Sequence, residues 1–252
     1  MKVIIKEILF YFWSLLRSKK KQQQVFLMGH PRSGSSLVMH LLTTNNEILG
    51  FGEYLTKYYN SRTLLKAEFD IRRKTHQLFS SYGYIANQIN HHSITPNKEL
   101  LIDENIKVIF LIREPEASLS SWKIFSEKKG KPMSIETISE FYIERLEYLG
   151  QLANHLPAEN WCYLKYEDLI ENPEISLEKL SRFLKLSDPL KSNYRLQGFT
   201  QVWGDSSENI TKGEIFKTSS KQFSIDKKIV HITNEAYQKT LNQFIKNSSQ
   251  TN

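Results

Sequence analysis

Residues 29 to 36 read GHPRSGSS and follow the apolar run Val25 to Met28. A strand that ends in a glycine turn and restarts as a helix aims backbone N–H groups and the positive end of a helix dipole at one point, which suits an anion. Gly29 and Gly34 permit the turn, and Pro31 fixes one φ angle. The hydroxyls of Ser33, Ser35 and Ser36 add donors for phosphate oxygens. The triphosphate loop G-x-x-x-x-G-K-[ST] has a lysine where this chain has Ser35. That argues against a triphosphate held beside magnesium, and Arg32 supplies a planar cation instead. Taken alone, the loop leaves open an ordinary strand-to-helix turn without ligand.

A second stretch narrows the choice. IKVIFLIREPEASLSSW puts Arg113 at the end of a predicted strand, Val108 to Ile112, with Pro115 starting a helix and Ser121 two turns into it. Ligands of open α/β sheets lie outside the carboxyl ends of the strands, so Arg113 and the Gly29 to Ser36 loop are expected on one crevice. Ser121 is placed to add a hydroxyl to a phosphate held by Arg113. Pairing of Arg113 with Glu114, Glu116 or Asp103 is the competing, purely structural role.

These residues need a scaffold, and strand and helix signals alternate along the chain as a parallel sheet with crossover helices requires. Val25 to Met28, Val108 to Ile112 and Trp161 to Leu164 read as strands. Helices are expected over Ser35 to Asn45, Arg62 to Ser80, Met133 to His155, Pro173 to Leu186 and His231 to Ile245. The fold class is α/β: a three-layer, P-loop-type fold with a central parallel sheet flanked by helices, in one domain over residues 25 to 252. Residues 187 to 226 lack periodicity, and so long a loop in a compact domain points to function or disorder. Residues 1 to 24 form a separate N-terminal element. Its uncharged run, Ile8 to Leu16, is shorter than the ~20 residues that span a bilayer. Ile4, Ile5, Ile8, Leu9, Phe12, Leu15 and Leu16 recur at helical spacing ahead of the basic cluster Arg17 to Lys21. Docking on the domain and peripheral contact with an anionic membrane are both open for it. The chain has 34 Lys and Arg against 27 Asp and Glu, a net charge of +7 that favours anionic partners. One cysteine, Cys162, excludes a disulfide framework and a cysteine-based zinc site and suits a cytoplasmic setting.

The pairing of GHPRSGSS with REPEASLSS resembles the sulfotransferase family, which moves a sulfuryl group from 3′-phosphoadenosine 5′-phosphosulfate (PAPS) to an acceptor. By that resemblance Gly29, His30, Pro31, Arg32, Ser33, Gly34, Ser35 and Ser36 cradle the 5′ phosphosulfate, while Arg113 and Ser121 bind the 3′ phosphate. KYEDL resembles a third family stretch whose tyrosine lies by the adenine, here Tyr166. PRSGSS followed by GFGEY is closest in pattern to the tyrosylprotein and carbohydrate branches, which implies Glu53 as general base and Arg32 as the cation on the leaving group. A C-terminal lid is implied too, with Lys212 and Lys217 reaching a phosphate, Ser207 donating to the sulfate and Trp203 over the base. The implied acceptor is a hydroxyl of a glycan, tyrosyl peptide or small molecule, with neither metal nor nucleic acid involved.

The chain departs from the pattern in SYGYIANQINHHSIT, where Gln88 stands at the place of an expected lysine aimed at the leaving group. His91, or His92, is the alternative base, in the manner of the cytosolic branch. The departure keeps a second reading in play, a binding protein on the same fold that has lost turnover. A P-loop kinase is disfavoured by Ser35.

Overall fold

The computed structural model describes residues 2–17, 22–54, 56–202, 208–217 and 223–248. Five strands, β1 (Gln23–Met28), β2 (Ile48–Gly50), β3 (Tyr84–Ile89), β4 (Ile106–Ile112) and β5 (Trp161–Lys165), form one parallel sheet in the order β2-β3-β1-β4-β5. The helices are, in chain order, α1 (Lys2–Leu16), α2 (Ser35–Thr44), α3 (Ser61–Lys74), α4 (Lys98–Leu101), α5 (Pro115–Lys128), α6 (Ile135–Ala153), α7 (Tyr166–Glu171), α8 (Pro173–Phe183) and α9 (Lys227–Ser248).

Alternation along the strands splits the core in two. Phe26, Met28, Val108, Phe110 and Ile112 face one way and pack with Leu119 of α5, Tyr142 and Leu146 of α6, and Phe244 of α9. Val25, Leu27, Ile109 and Leu111 face the other and pack with Val38 and Met39 of α2, Leu169 of α7, and Leu177 and Leu180 of α8. Both faces are covered, which explains why β1 and β4 are nearly unbroken apolar runs. The expected three-layer α/β architecture is therefore present.

Two strands are additional to those expected. β2 has three residues, and β3 carries Asn87 and Gln88 within a fully buried run, so neither has the apolar signature of β1 or β4. After β1 the chain fills the β2–β3 side of the sheet, and from β4 onward it fills the other side. The order reverses between β1 and β4, so a crevice opens between their carboxyl ends. Outside this core, α1 lies along α3: Phe10 and Trp13 are buried against Phe69, and the Trp13 indole donates to the Leu78 carbonyl at 2.8 Å.

Candidate active site

The loop after β1 is built around two glycines. A side chain at Gly29 would meet Ser33 Oγ at 2.6 Å and the Leu111 carbonyl at 3.1 Å. Gly34, with φ at 92°, precedes α2, and a Cβ there would stand 2.3 Å from the Tyr166 ring. Tyr166 thus presses on the turn from α7, where only glycine leaves room. Gly34→Ala is expected to lower stability by about 1–3 kcal/mol through strain and this clash, read as a lower urea midpoint. The first N–H groups of α2 lack intrahelical partners by geometry and open on the crevice. Within the loop the Ser33 hydroxyl is fully buried with no hydrogen-bond partner.

Arg32 has a left-handed φ of 66°, and its side chain runs toward α5. Its Nε donates to Ser121 Oγ at 3.1 Å, and its guanidinium lies 4.9 Å from the Phe125 ring centre. Arg113, at the end of β4, donates from Nη1 to the Arg32 carbonyl at 3.0 Å and stacks 4.3 Å over the Tyr166 ring. Its Nε is buried without a partner. Arg113, Arg32, Ser121 and Tyr166 are therefore one cluster on the α5 side of the loop. The sequence puts Arg32 at the leaving group, whereas here it stands with the pair expected at the 3′ phosphate.

Glu53 stands on the other side of the loop, after β2. The Asn90 backbone N–H points at its Oε1 at 3.5 Å, and the Asn90 side-chain amide donates to Ser35 Oγ at 2.9 Å. Burial raises the Glu53 pKa, opposed by that N–H and by Arg145. A carboxylate whose proton affinity is lifted toward neutral suits a general base. Asn90 was not singled out from the sequence, although it ends β3 as Arg113 follows β4. Gln88 lies one pleat back on the same face of β3 as Asn90 and is buried. The residue standing for the expected lysine is thus a neutral amide inside the sheet edge of the crevice.

Beneath the loop, α6 supplies a floor that the sequence did not disclose. Arg145, fully buried, donates from Nε to the Gly29 carbonyl at 2.8 Å and from Nη2 to the Ile89 carbonyl at 2.9 Å, with Nη1 on Thr95 Oγ1 at 3.1 Å. One turn earlier, the Tyr142 hydroxyl donates to the Arg113 carbonyl at 2.7 Å. These two side chains donate to carbonyls at the ends of three strands, adding to the Gly29 N–H that Ile89 already accepts. Burial lowers the Arg145 pKa to about 10, so it stays charged at neutral pH under the loop. A lone arginine on the apolar face of Ile138, Tyr142, Leu146 and Leu149 was the available signal.

His30 is fully buried, and its role is a tether: the Arg113 N–H donates to Nε2 at 3.2 Å, which leaves the proton on Nδ1 to reach the Pro31 carbonyl at 3.0 Å. Desolvation pushes its pKa down to about 3. Because the folded state keeps His30 neutral, its contribution is complete above the ordinary value near 6.5 and declines as pH falls toward 3. The decline is at most ~1.4 kcal/mol per pH unit. In urea melts between pH 7 and 4, His30→Asn should lose stability less steeply than the parent, and identical slopes would contradict the assignment.

The remaining expected residues lie apart. His91 is exposed, and its Nδ1 accepts from the Ser93 N–H at 3.1 Å, capping a short 3₁₀ turn. Lys212 is exposed with its ammonium 3.8 Å from the Phe216 ring centre, and Lys217 lies 3.8 Å from a Glu171 carboxylate oxygen. Ser207 and Trp203 lie outside the described residues. Among the described residues, no three His, Cys, Asp or Glu side chains are grouped to hold a metal ion, and no helix is long and apolar enough to cross a membrane.

Comparison with known proteins matches this architecture. A curated relative, "Cytosolic sulfotransferase 15" of Arabidopsis thaliana, is 26% identical over 137 residues, covering 48% of this chain and 38% of the relative. The fold resembles that of the sulfotransferase domain of the curacin biosynthetic pathway (TM-score 0.57, 14% identity, 87% of this chain and 99% of that one). It also resembles that of the sulfotransferase domain of the Synechococcus PCC 7002 olefin synthase (TM-score 0.56, 14% identity, 88% and 97%). A mouse sulfotransferase crystallised with PAP gives a TM-score of 0.50 at 12% identity, over 94% and 89% of the two chains. The family model described as "Sulfotransferase domain" matches residues 22–248, so the chain belongs to the sulfotransferase family.

Proposed function

We propose that this protein transfers a sulfuryl group from PAPS to a hydroxyl of a glycan, tyrosyl peptide or small molecule, in the cytoplasm and without a metal. The observation that carries the reading is the convergence on one crevice of the GHPRSGSS loop, the Arg113, Arg32 and Ser121 cluster, and Glu53. The residues fit such a donor. Ser33 Oγ and Arg113 Nε are buried donors without partners, and a nucleotide with oxyanions at both ends supplies acceptors for them. Tyr166, held between Gly34 and the Arg113 guanidinium, stands beside the loop where the resemblance puts the adenine.

When bound, the donor supplies an activated sulfuryl group on a phosphate leaving group. The α2 N-terminus with Ser33, Ser35 and Ser36 holds the 5′ end and stabilises charge that develops there. Arg113, Arg32 and Ser121 hold the 3′ end. Glu53 accepts the proton of the acceptor hydroxyl, and Asn90 orients it through its backbone N–H while its side chain fixes Ser35. Lys212, Lys217 and Ser207 are assigned to closure over the nucleotide.

Incubation with PAPS and a panel of hydroxyl acceptors, with release of 3′,5′-ADP followed chromatographically, tests the reading. Acceptor-dependent release that survives EDTA supports it. Binding of 3′,5′-ADP without turnover on any acceptor would favour a non-catalytic nucleotide-binding protein, the reading to which neutral Gln88 lends weight.

A further inference from the structure

The helix α1 presents the apolar face that a surface helix normally hides. At 100° per residue, Tyr11, Ile4, Leu15, Ile8, Phe12, Ile5, Leu16 and Leu9 fall in that order on one continuous arc of about 160°. All eight side chains point outward and are 50–71% exposed, and no charged residue interrupts them. The opposite arc is committed to the domain. Phe10 and Trp13 are buried on Phe69, Lys6 pairs with Asp70 at 2.7 Å, Lys66 with Glu7 at 2.8 Å, and Arg17 with Glu68 at 3.5 Å. The helix is therefore fixed with its aliphatic side out.

Eight large side chains exposed to this degree exceed the ~300–600 Å² that is usually the largest apolar patch on a soluble monomer. Such a patch calls for an occupant, and charge complementarity selects it. In the sequence the helix is followed at once by Lys19, Lys20 and Lys21, in a chain of net charge +7. An apolar face followed in the sequence by a run of cations suits a surface of anionic headgroups over acyl chains. A second copy of so basic a chain would bring like charges together. α1 is too short to span, so it would lie in the plane of the interface.

We infer that α1 docks the protein on anionic lipid bilayers, its Ile4, Ile8, Phe12 and Leu15 face entering the interface and the lysines that follow it in the sequence favouring anionic headgroups. This goes beyond the catalytic reading and does not depend on it.

The test is cosedimentation of the full chain with vesicles of phosphatidylcholine alone and of phosphatidylcholine with phosphatidylglycerol. Binding to the anionic vesicles should be on the order of tenfold or more stronger, since each basic residue at such a surface adds a factor of about five. Raising salt should weaken it. The double substitution Ile8→Glu, Phe12→Glu should abolish pelleting while leaving the thermal melt in place, because both side chains stand on the exposed arc of the helix. A parent protein that stays in the supernatant with anionic vesicles at low salt would overturn the inference. Equal pelleting of the double variant would overturn it too. So would light scattering that shows a dimer without vesicle binding, converted to monomer by the double substitution, which would make a second copy the occupant.

Discussion

Glu53→Gln is expected to lower turnover by ~10²–10⁴-fold while leaving 3′,5′-ADP affinity unchanged. The amide keeps the shape of the side chain and an acceptor for the Asn90 N–H, but it takes no proton at neutral pH. Glu53 lies across the loop from the cluster assigned to the 3′ end, which is why binding should be indifferent to the change. The pH profile gives an independent reading. Burial places the Glu53 pKa above the ordinary value of 4.5, so activity in the parent should fall as pH drops through that raised value. The residual activity of the variant should lack this limb. Retained turnover would move the base to another group, and His91, the alternative base of the sequence reading, is the next candidate.

Arg113→Ala should weaken 3′,5′-ADP binding by about 3 kcal/mol, on the order of 100-fold. Three things go at once: a cation with a buried Nε available to an anion, the hydrogen bond that ties Nη1 to the Arg32 carbonyl, and the stack on Tyr166. The second loss matters because Arg32 holds a left-handed backbone conformation that needs support from its surroundings. Isothermal titration against 3′,5′-ADP measures the effect. The same variant titrated with 5′-ADP should bind almost as the parent does, because the lost contacts belong to the 3′ side. An equal loss for both nucleotides would place Arg113 at the shared 5′ end instead.

The parts of the crevice that depend on local pattern were legible in the sequence. Gly29, Pro31, Gly34 and the serines announce a turn into a helix, and the run ending at Arg113 announces a buried strand. Both stand where alternation and turn chemistry put them. The parts that depend on tertiary contact were not legible. β3 carries Asn87 and Gln88, whose polarity hides a central strand, and Asn90, just after it, meets Ser35 and Glu53 only because they arrive from other segments. Arg145 reads as one polar residue on an amphipathic helix until its bonds to the Gly29 and Ile89 carbonyls are seen. The aliphatic stripe of α1 reads equally as a domain contact or a membrane face, because the contacts that fix the opposite side come from aromatic residues and ion pairs with α3. Arg32 depends on tertiary contact in the same way: its type marks a cation beside an anion, and only the fold shows its Nε donating to Ser121.

One crevice should hold a nucleotide by oxyanions at both its 5′ and 3′ ends. Calorimetric titration of the parent protein in EDTA with 3′,5′-ADP, 5′-ADP and ATP tests it most directly. The account predicts that 3′,5′-ADP binds at least tenfold more tightly than either nucleotide lacking the 3′ phosphate, since a charged contact contributes more than ~1.4 kcal/mol. Equal affinity for the three, or ATP binding that appears only when magnesium is restored, would contradict it.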